Sequence, residues 1–321
     1  MNKNGFTLLE LIFVIVVFGI ISMFGADLYT KIYSSYAHTR AVNQLEARTM
    51  NAITIISSRL EDRIKGTVIA RKSDDNTFVD IRSATQNHDI IEWIGQSVES
   101  KNLVPTAANN PASSVGWSGF ADIYNMDAPI PADFNFTSQG SHFNGVGTVI
   151  RSLRGNADAS FGIIFKGRIA VDDVANAYGY ELSDFNNTFI GTANGINNET
   201  VEINYPVRAS IYEPGISEQY YLAHSAYAIV PTNLNEPYNG PSGNQVAEWN
   251  FDLALHYNYE PWNGEAYNNE ANTSIMVRDV SLFRFRNDDG AIALKLCLRD
   301  AGRNFNPEEL DLIVCKSQVV Y

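Results

Sequence analysis

The chain has 321 residues, 45% of them hydrophobic and 12% aromatic, which is enough apolar mass for a sizeable core and too much for a disordered protein. Its formal net charge of −13 comes without any sequence cluster of Lys and Arg, which excludes a nucleic-acid-binding module, because neutralising phosphates takes grouped cations. Length by itself admits one large β-rich unit as readily as two domains.

The first residues are Met1-Asn2-Lys3-Asn4-Gly5, followed by an apolar run from Phe6 to Ala26 in which Glu10 is the one ionisable side chain. A run of that length is about what a bilayer core takes, roughly 20 residues. A secretory leader would end in a small-x-small cleavage site, but the exit here reads Ser22-Met23-Phe24-Gly25-Ala26, with bulky Phe24 in the motif. The run is therefore expected to stay on the chain. Glu10 is its anomaly, since a carboxylate in hydrocarbon costs about 3 kcal/mol and by default marks a partner and a function. A Glu near the helix end that snorkels to the interface is the plainer alternative.

Lys3, Gly5, Phe6 and Glu10 together resemble the N-terminal signature of type IV pilins and pseudopilins: a short basic leader ending in Gly, a Phe as first mature residue, and Glu at mature position five. The resemblance implies that a prepilin peptidase cuts between Gly5 and Phe6 and methylates the new amine of Phe6. It further implies that Glu10 pairs with the α-amine of a neighbouring subunit during assembly, so that a costly lone charge becomes a paired one that sets register.

From Ala26 to Lys65 there is neither Gly nor Pro, and all 11 prolines lie at or beyond Pro105. Val42, Leu45, Ala52, Ile53, Ile56, Leu60 and Ile64 recur at steps of three and four and form one stripe, with Arg48, Arg59, Glu61, Asp62 and Arg63 expected to face away. The spacing predicts one helix from Phe6 to about Lys65, its first half apolar and its second packed on a globular head, with Gly66 as the stop.

Beyond Gly66, short apolar runs broken by Gly, Asn, Asp and Pro predict strands and turns: Thr77–Arg82, Gly162–Val171, Thr200–Val207, Tyr220–Val230 and Val277–Arg286. Lys101 to Gly147, with four prolines, and Pro231 to Thr273 are expected to be long surface loops. Near the C-terminus Asn287-Asp288-Asp289-Gly290 is a turn sequence, followed by alternating Ile292, Leu294, Leu296 and Leu298, and a third strand is expected over Leu310–Val320. Cys297 and Cys315 fit a single disulfide better than a metal or C-x-x-C redox site, provided the head reaches an oxidising compartment.

No nucleophile sits in a G-x-S-x-G, H-E-x-x-H or P-loop frame, and the five histidines, His38, His88, His142, His224 and His256, are scattered. No cofactor is expected. Calcium at Asp74-Asp75-Asn76 or Asn287-Asp288-Asp289 is the weaker reading of two turn sequences. Trp117, Phe120, Tyr124, Trp249, Tyr257, Tyr259, Trp262 and Tyr267 would stack on sugars or anchor a partner if exposed, and fill a core if not.

The expectation is an α+β protein divided into a leader over 1–5, a membrane and assembly helix over 6–26, its amphipathic continuation over 27–65, a β-rich head with long loops over 66–276, and C-terminal antiparallel strands over 277–321. The resemblance implies a non-enzymatic minor pilin or pseudopilin of a type IV pilus, type II secretion or competence filament. Its size favours a place near the tip, although the largest tip pseudopilin commonly lacks the Glu present here as Glu10. Its expected partners are prepilin peptidase, the inner-membrane assembly platform and other pilin subunits. The chain would cross the inner membrane once, with the head in the periplasm. The rival from another class is a membrane-anchored binding protein or enzyme that uses a pilin-like signal.

Overall fold

A computed structural model describes residues 7–74, 77–107, 110–124, 133–155, 160–166, 190–204, 216–233, 237–239, 245–300 and 312–321. Helix α1, Leu8–Glu61, is followed by strands β1 (Ile69–Arg71), β2 (Phe78–Asp80), β3 (Ile90–Gly95), β4 (Leu103–Ala107), β5 (Asn110–Val115) and β6 (Asp133–Thr137). Helix α2, Phe143–Arg154, leads into β7 (Phe161–Phe165), β8 (Ile190–Gly195), β9 (Thr200–Asn204), β10 (Tyr220–Ala223) and β11 (Ser225–Thr232). The chain closes through β12 (Pro237–Asn239), β13 (Gln245–Trp249), β14 (Phe251–Tyr259), β15 (Asn272–Asp288), β16 (Ala291–Arg299) and β17 (Ile313–Val320).

The described strands make an eight-stranded sheet ordered β17-β16-β15-β14-β11-β3-β1-β2 and a five-stranded sheet ordered β10-β7-β8-β9-β6, with antiparallel ladders throughout. Strand alternation sorts the side chains into layers. One face of the large sheet sets Ile91, Trp93, Phe283, Leu294 and Leu296 against Leu45, Ile53, Ile56 and Leu60 of α1. The other sets Ile90 and Ile94 of the same β3 against Ile164 and Ile190 of the small sheet. The far face of the small sheet packs Ile163, Phe134 and Val201 on Phe143, Val146 and Ile150 of α2. The order of layers is α1, large sheet, small sheet, α2.

The stripe read from the sequence is the buried face of α1, with Val42 only half-buried and Ala41, Thr49 and Ser57 completing it. The helix stops at Glu61, short of Gly66, because tertiary pairing peels it away: Ile64 N–H donates to Ile94 O at 2.9 Å and Gln96 N–H to Asp62 O at 2.8 Å. Arg63 does not face away. It is 5% exposed, and its guanidinium donates to the carbonyls of Leu60, Tyr321, Gly290 and Val320 at 2.8 to 3.4 Å. One cation thus ties the helix end to the β15–β16 hairpin and to the last residues of β17.

Both expected loops contain regular structure. Lys101–Gly147 holds the β4–β5 hairpin, β6 and the start of α2, and Pro231–Thr273 holds β14, an interior strand of the large sheet. The Tyr220–Val230 run is divided at His224, where the chain leaves the small sheet as β10 and enters the large one as β11. Thr77–Arg82 contributes three strand residues and then a 3-10 turn over Ile81–Ser83. Residues 167–171 and 205–207 of two expected strands lie outside the described residues. The C-terminal strands start within β15 at Asn272 and belong to the same sheet as β1 to β3, so residue 277 marks no structural boundary. Their hairpin turns on Asp289 and Gly290, both at positive φ (52° and 87°), as a two-residue turn matched to strand twist requires. Cys297 and Cys315 lie directly opposite in the β16–β17 register and are joined by a disulfide with Cα atoms 4.0 Å apart. In the chain-entropy account a loop of this length contributes about 3 kcal/mol.

Because Arg63 serves four carbonyls, Arg63→Ala leaves several buried acceptors unsatisfied. It is expected to lower the stability of the head by about 2–3 kcal/mol, with Arg63→Lys recovering part of the loss. Urea titration followed by tryptophan emission reads this, and an unchanged midpoint would remove the anchoring role.

Candidate functional site

The functional end of the molecule is the first half of α1. Thr7 is its N-cap, and Thr7 with Glu10 forms a capping box: Thr7 Oγ1 accepts from Glu10 N–H at 3.4 Å, while Glu10 Oε2 accepts from Thr7 N–H at 3.0 Å and Thr7 O–H at 2.9 Å. Three residues separate a Thr from a Glu at the head of an apolar run, so the pattern was present in Thr7-Leu8-Leu9-Glu10 and the sequence reading passed over it. The box occupies one carboxylate oxygen. Oε1 has no partner among the described residues. Gly5 and Phe6, the expected cleavage pair, lie outside the described residues.

From Leu8 to Arg40 no residue of α1 is buried, and the first buried position is Ala41. At 1.5 Å per residue the bare length is about 50 Å, more than the roughly 30 Å of a bilayer core. As far as Ala26 it is apolar on every side apart from Glu10, with Leu8, Leu9, Phe13, Phe18, Met23 and Phe24 each more than two-thirds exposed. A window of this helix has mean hydropathy 2.6, and it is the one helix among the described residues long and apolar enough to cross a membrane. Past Ala26 the hydroxyls of Thr30, Ser34 and Thr39 donate to carbonyls three or four residues back, so the helix meets its polar needs internally.

The four histidines of the head each make a hydrogen bond within it. His88 Nδ1 accepts from Thr85 N–H at 3.0 Å and His142 Nδ1 from Gly145 N–H at 3.0 Å, the latter capping α2. His224 Nδ1 lies 2.9 Å from Ser97 Oγ, and burial holds this imidazole below its ordinary value. His256 Nδ1 bonds Tyr267 O at 2.7 Å, and His38 is exposed on α1. Among the described residues no three His, Cys, Asp or Glu side chains converge as a metal site. Of the expected calcium ligands, Asp75 and Asn76 lie outside the described residues, and Asp289 is spent on the hairpin turn.

Of the seven singled-out aromatics whose side chains are described, four are core: Trp117, Tyr259, Trp262 and Tyr267 are buried, Tyr257 is half-buried, and Phe120 and Tyr124 are exposed. The side chain of Trp249 lies outside the described residues. Two buried ion pairs hold the head together, one within the large sheet and one between layers. Arg71 Nη2 meets Glu92 Oε2 at 3.0 Å, with Tyr259 O–H donating to Glu92 Oε1 at 2.9 Å. Arg154, at the end of α2, meets Glu260 at 2.5 Å, with Glu265 at 3.6 Å and Asn263 also bonded to Glu260.

Residues 1–26 match the family described as the prokaryotic N-terminal methylation motif. The chain therefore carries a type IV pilin-like prepilin motif on a long apolar helix, joined to a β-rich head of α+β class. The motif marks a prepilin-peptidase substrate that assembles with other pilin-like subunits, and the helix fits membrane anchoring. No curated protein and no solved structure matches this chain.

Burial pushes Glu260 up to about 7 from 4.5, with Arg154 pulling the other way and Glu265 adding to the rise. The folded state then binds more protons than the unfolded state between those two values. Stability is expected to fall as pH rises through that window, by up to about 1.4 kcal/mol per pH unit from this group. Glu260→Gln should flatten that part of the pH profile of the urea midpoint, and a profile identical to that of the unsubstituted protein would overturn the assignment.

Proposed function

We propose that this chain is a non-enzymatic minor pilin or pseudopilin, a structural subunit held near the tip of a type IV pilus, type II secretion or competence filament. The observation that carries the reading is the bare helix from Leu8 to Arg40, apolar on every side as far as Ala26 apart from Glu10 and with none of its residues buried. Together with the methylation motif it supports a segment that first resides in the inner membrane and then packs among the helices of neighbouring subunits. In lipid the backbone has to be satisfied within the helix, and side-chain packing with a few polar contacts drives association. Glu10 suits that role, because its capping bonds leave Oε1 for the methylated amine of an adjacent Phe6. The Cys297–Cys315 disulfide fits a head exported to the periplasm, where thiols are oxidised. A head of this size is easier to accommodate at low copy near an end than stacked along a shaft. The assembly platform and prepilin peptidase are the machinery such a subunit requires, and the reading calls for no cofactor.

The mature protein is expected to start at a methylated Phe6. Intact mass of the membrane form should lack residues 1 to 5 and carry one added methyl, and a mature N-terminus near Ala26 would sink the reading.

Glu10→Ala is expected to leave the head folded while cutting incorporation into the sheared filament fraction roughly five- to tenfold, from ~1 kcal/mol or more per polar contact between helices in lipid. Incorporation equal to the unsubstituted chain would leave Glu10 as a capping residue alone.

A further inference from the structure

Between its apolar segment and the head, α1 has two unlike faces. Tyr29, Tyr33 and Tyr36 recur at steps of four and three and are 70%, 63% and 61% exposed. At about 3.6 residues per turn they fall within an arc of about 60°, and Arg40 continues the same line. The rings of Tyr29 and Tyr33 stack with their centroids 6.4 Å apart. Asp27, Lys31, Ser34 and His38, all exposed, occupy the opposite side. That polar side runs on into the stripe of Leu45, Ala52 and Ile56, which packs on the large sheet. The tyrosines therefore lie about half a turn away from the side of α1 that carries the head.

Tyrosine on the flank of a membrane helix has a defined chemistry. Its ring is apolar and its hydroxyl polar, so it is enriched where hydrocarbon meets the headgroups. The apolar run closes at Ala26, and Leu8 to Ala26 rises about 27 Å, close to the roughly 30 Å of a bilayer core. The headgroup layer beyond that core is about 5–7 Å deep. In an upright helix Tyr29 stands about 5 Å above Ala26 and meets this layer, whereas Tyr33 and Tyr36 stand about 10 Å and about 15 Å above it and overshoot. Tilting the helix toward the tyrosine face lowers all three toward the layer. The same tilt lifts the opposite side, where the head is packed, away from the lipid. Interfacial anchors of this kind set the direction in which a membrane helix leans.

We propose that Tyr29, Tyr33 and Tyr36 are a one-sided contact with the lipid headgroup layer, which tilts α1 toward that face and turns the head away from the bilayer. The lipid surface is the favoured occupant because the tyrosines continue directly from the membrane segment and begin within one turn of its end. The inference rests on the reading that α1 first resides in a membrane, and adds to it a lipid-binding face and an orientation.

The full-length protein, reconstituted at a high lipid-to-protein ratio in vesicles of phosphatidylethanolamine and phosphatidylglycerol, tests it. A bimane fluorophore is placed by His38→Cys or, separately, by Arg40→Cys, with the native disulfide kept, and is quenched by a nitroxide carried on the lipid headgroups. Position 40 shares the tyrosine face and position 38 lies on the opposite one. Bimane at position 40 is expected to be quenched more strongly than at position 38, although it is farther along the helix from the membrane segment. Tyr29→Ser, Tyr33→Ser and Tyr36→Ser combined should reverse that order, with an unchanged urea midpoint reporting an intact head, since none of the three is buried. Stronger quenching at position 38 with the tyrosines present, or an order that survives their removal, overturns the proposal while leaving the membrane reading intact. A difference that arises only when the vesicles are crowded with protein assigns the face to a neighbouring helix and also overturns it. Protein that fails to float with the vesicles overturns the membrane reading and this inference together.

Discussion

From Leu8 to Ala26 the backbone bonds to itself in a continuous helix, which fits membrane anchoring, because hydrocarbon offers a segment no other hydrogen bonds. That constraint propagates through the molecule. The same helix runs on without a break to Glu61, so the head has to be built on a rod whose direction the membrane segment has already fixed. The large sheet answers with a face that accepts the α1 stripe, through Trp93, Phe283, Leu294 and Leu296. The rod changes character at Ala41, its first buried residue: up to Ala26 the helix is apolar all round apart from Glu10, and from Ala41 it is apolar on one side only.

The far end of the rod is locked by hydrogen bonding more than by apolar contact. Arg63 gathers carbonyls from the helix, the hairpin and the C-terminal strand, and the Cys297–Cys315 bond fixes β17 to β16 on the same edge of the sheet. Exposed pairs such as Arg48–Asp279 at 3.2 Å contribute little by comparison, since solvent screens them. The helix is therefore tied to the head through β15, β16 and β17.

Deeper in the head, charge is used for register both within the large sheet and between layers. Arg71–Glu92–Tyr259 crosses strands of the large sheet, and Arg154–Glu260 joins α2 to the end of β14. Buried pairs of this kind add little net stability but are unfavourable to leave half-made, so they disfavour alternative stackings of the layers. The polar residues His142 and His224 act similarly, one capping α2 and the other standing where the chain passes from the small sheet to the large. The four histidines of the head, and Trp117, Tyr259, Trp262 and Tyr267 among the aromatics that could have signalled a ligand site, are taken up by this internal scaffolding.

What the sequence determined by itself was what local chemistry dictates. Glu10 in an otherwise uncharged run, the periodic stripe from Leu45 to Leu60, and the Asp289-Gly290 turn each reflect a rule that acts within a few residues. The capping partner of Glu10 was equally local and equally readable in Thr7. Tertiary structure decided the rest. Phe251–Tyr259 read as part of a loop because the stretch around it, Pro231 to Thr273, is rich in Asn, Gly, Tyr, Trp and Pro, yet long-range pairing with β11 and β15 makes it an interior strand. Arg63 read as a surface cation because its side chain is charged, yet carbonyls more than 200 residues away in the chain bury it. The helix stopped before Gly66 for the same reason, since Ile94 and Gln96 took the hydrogen bonds that another turn would have used.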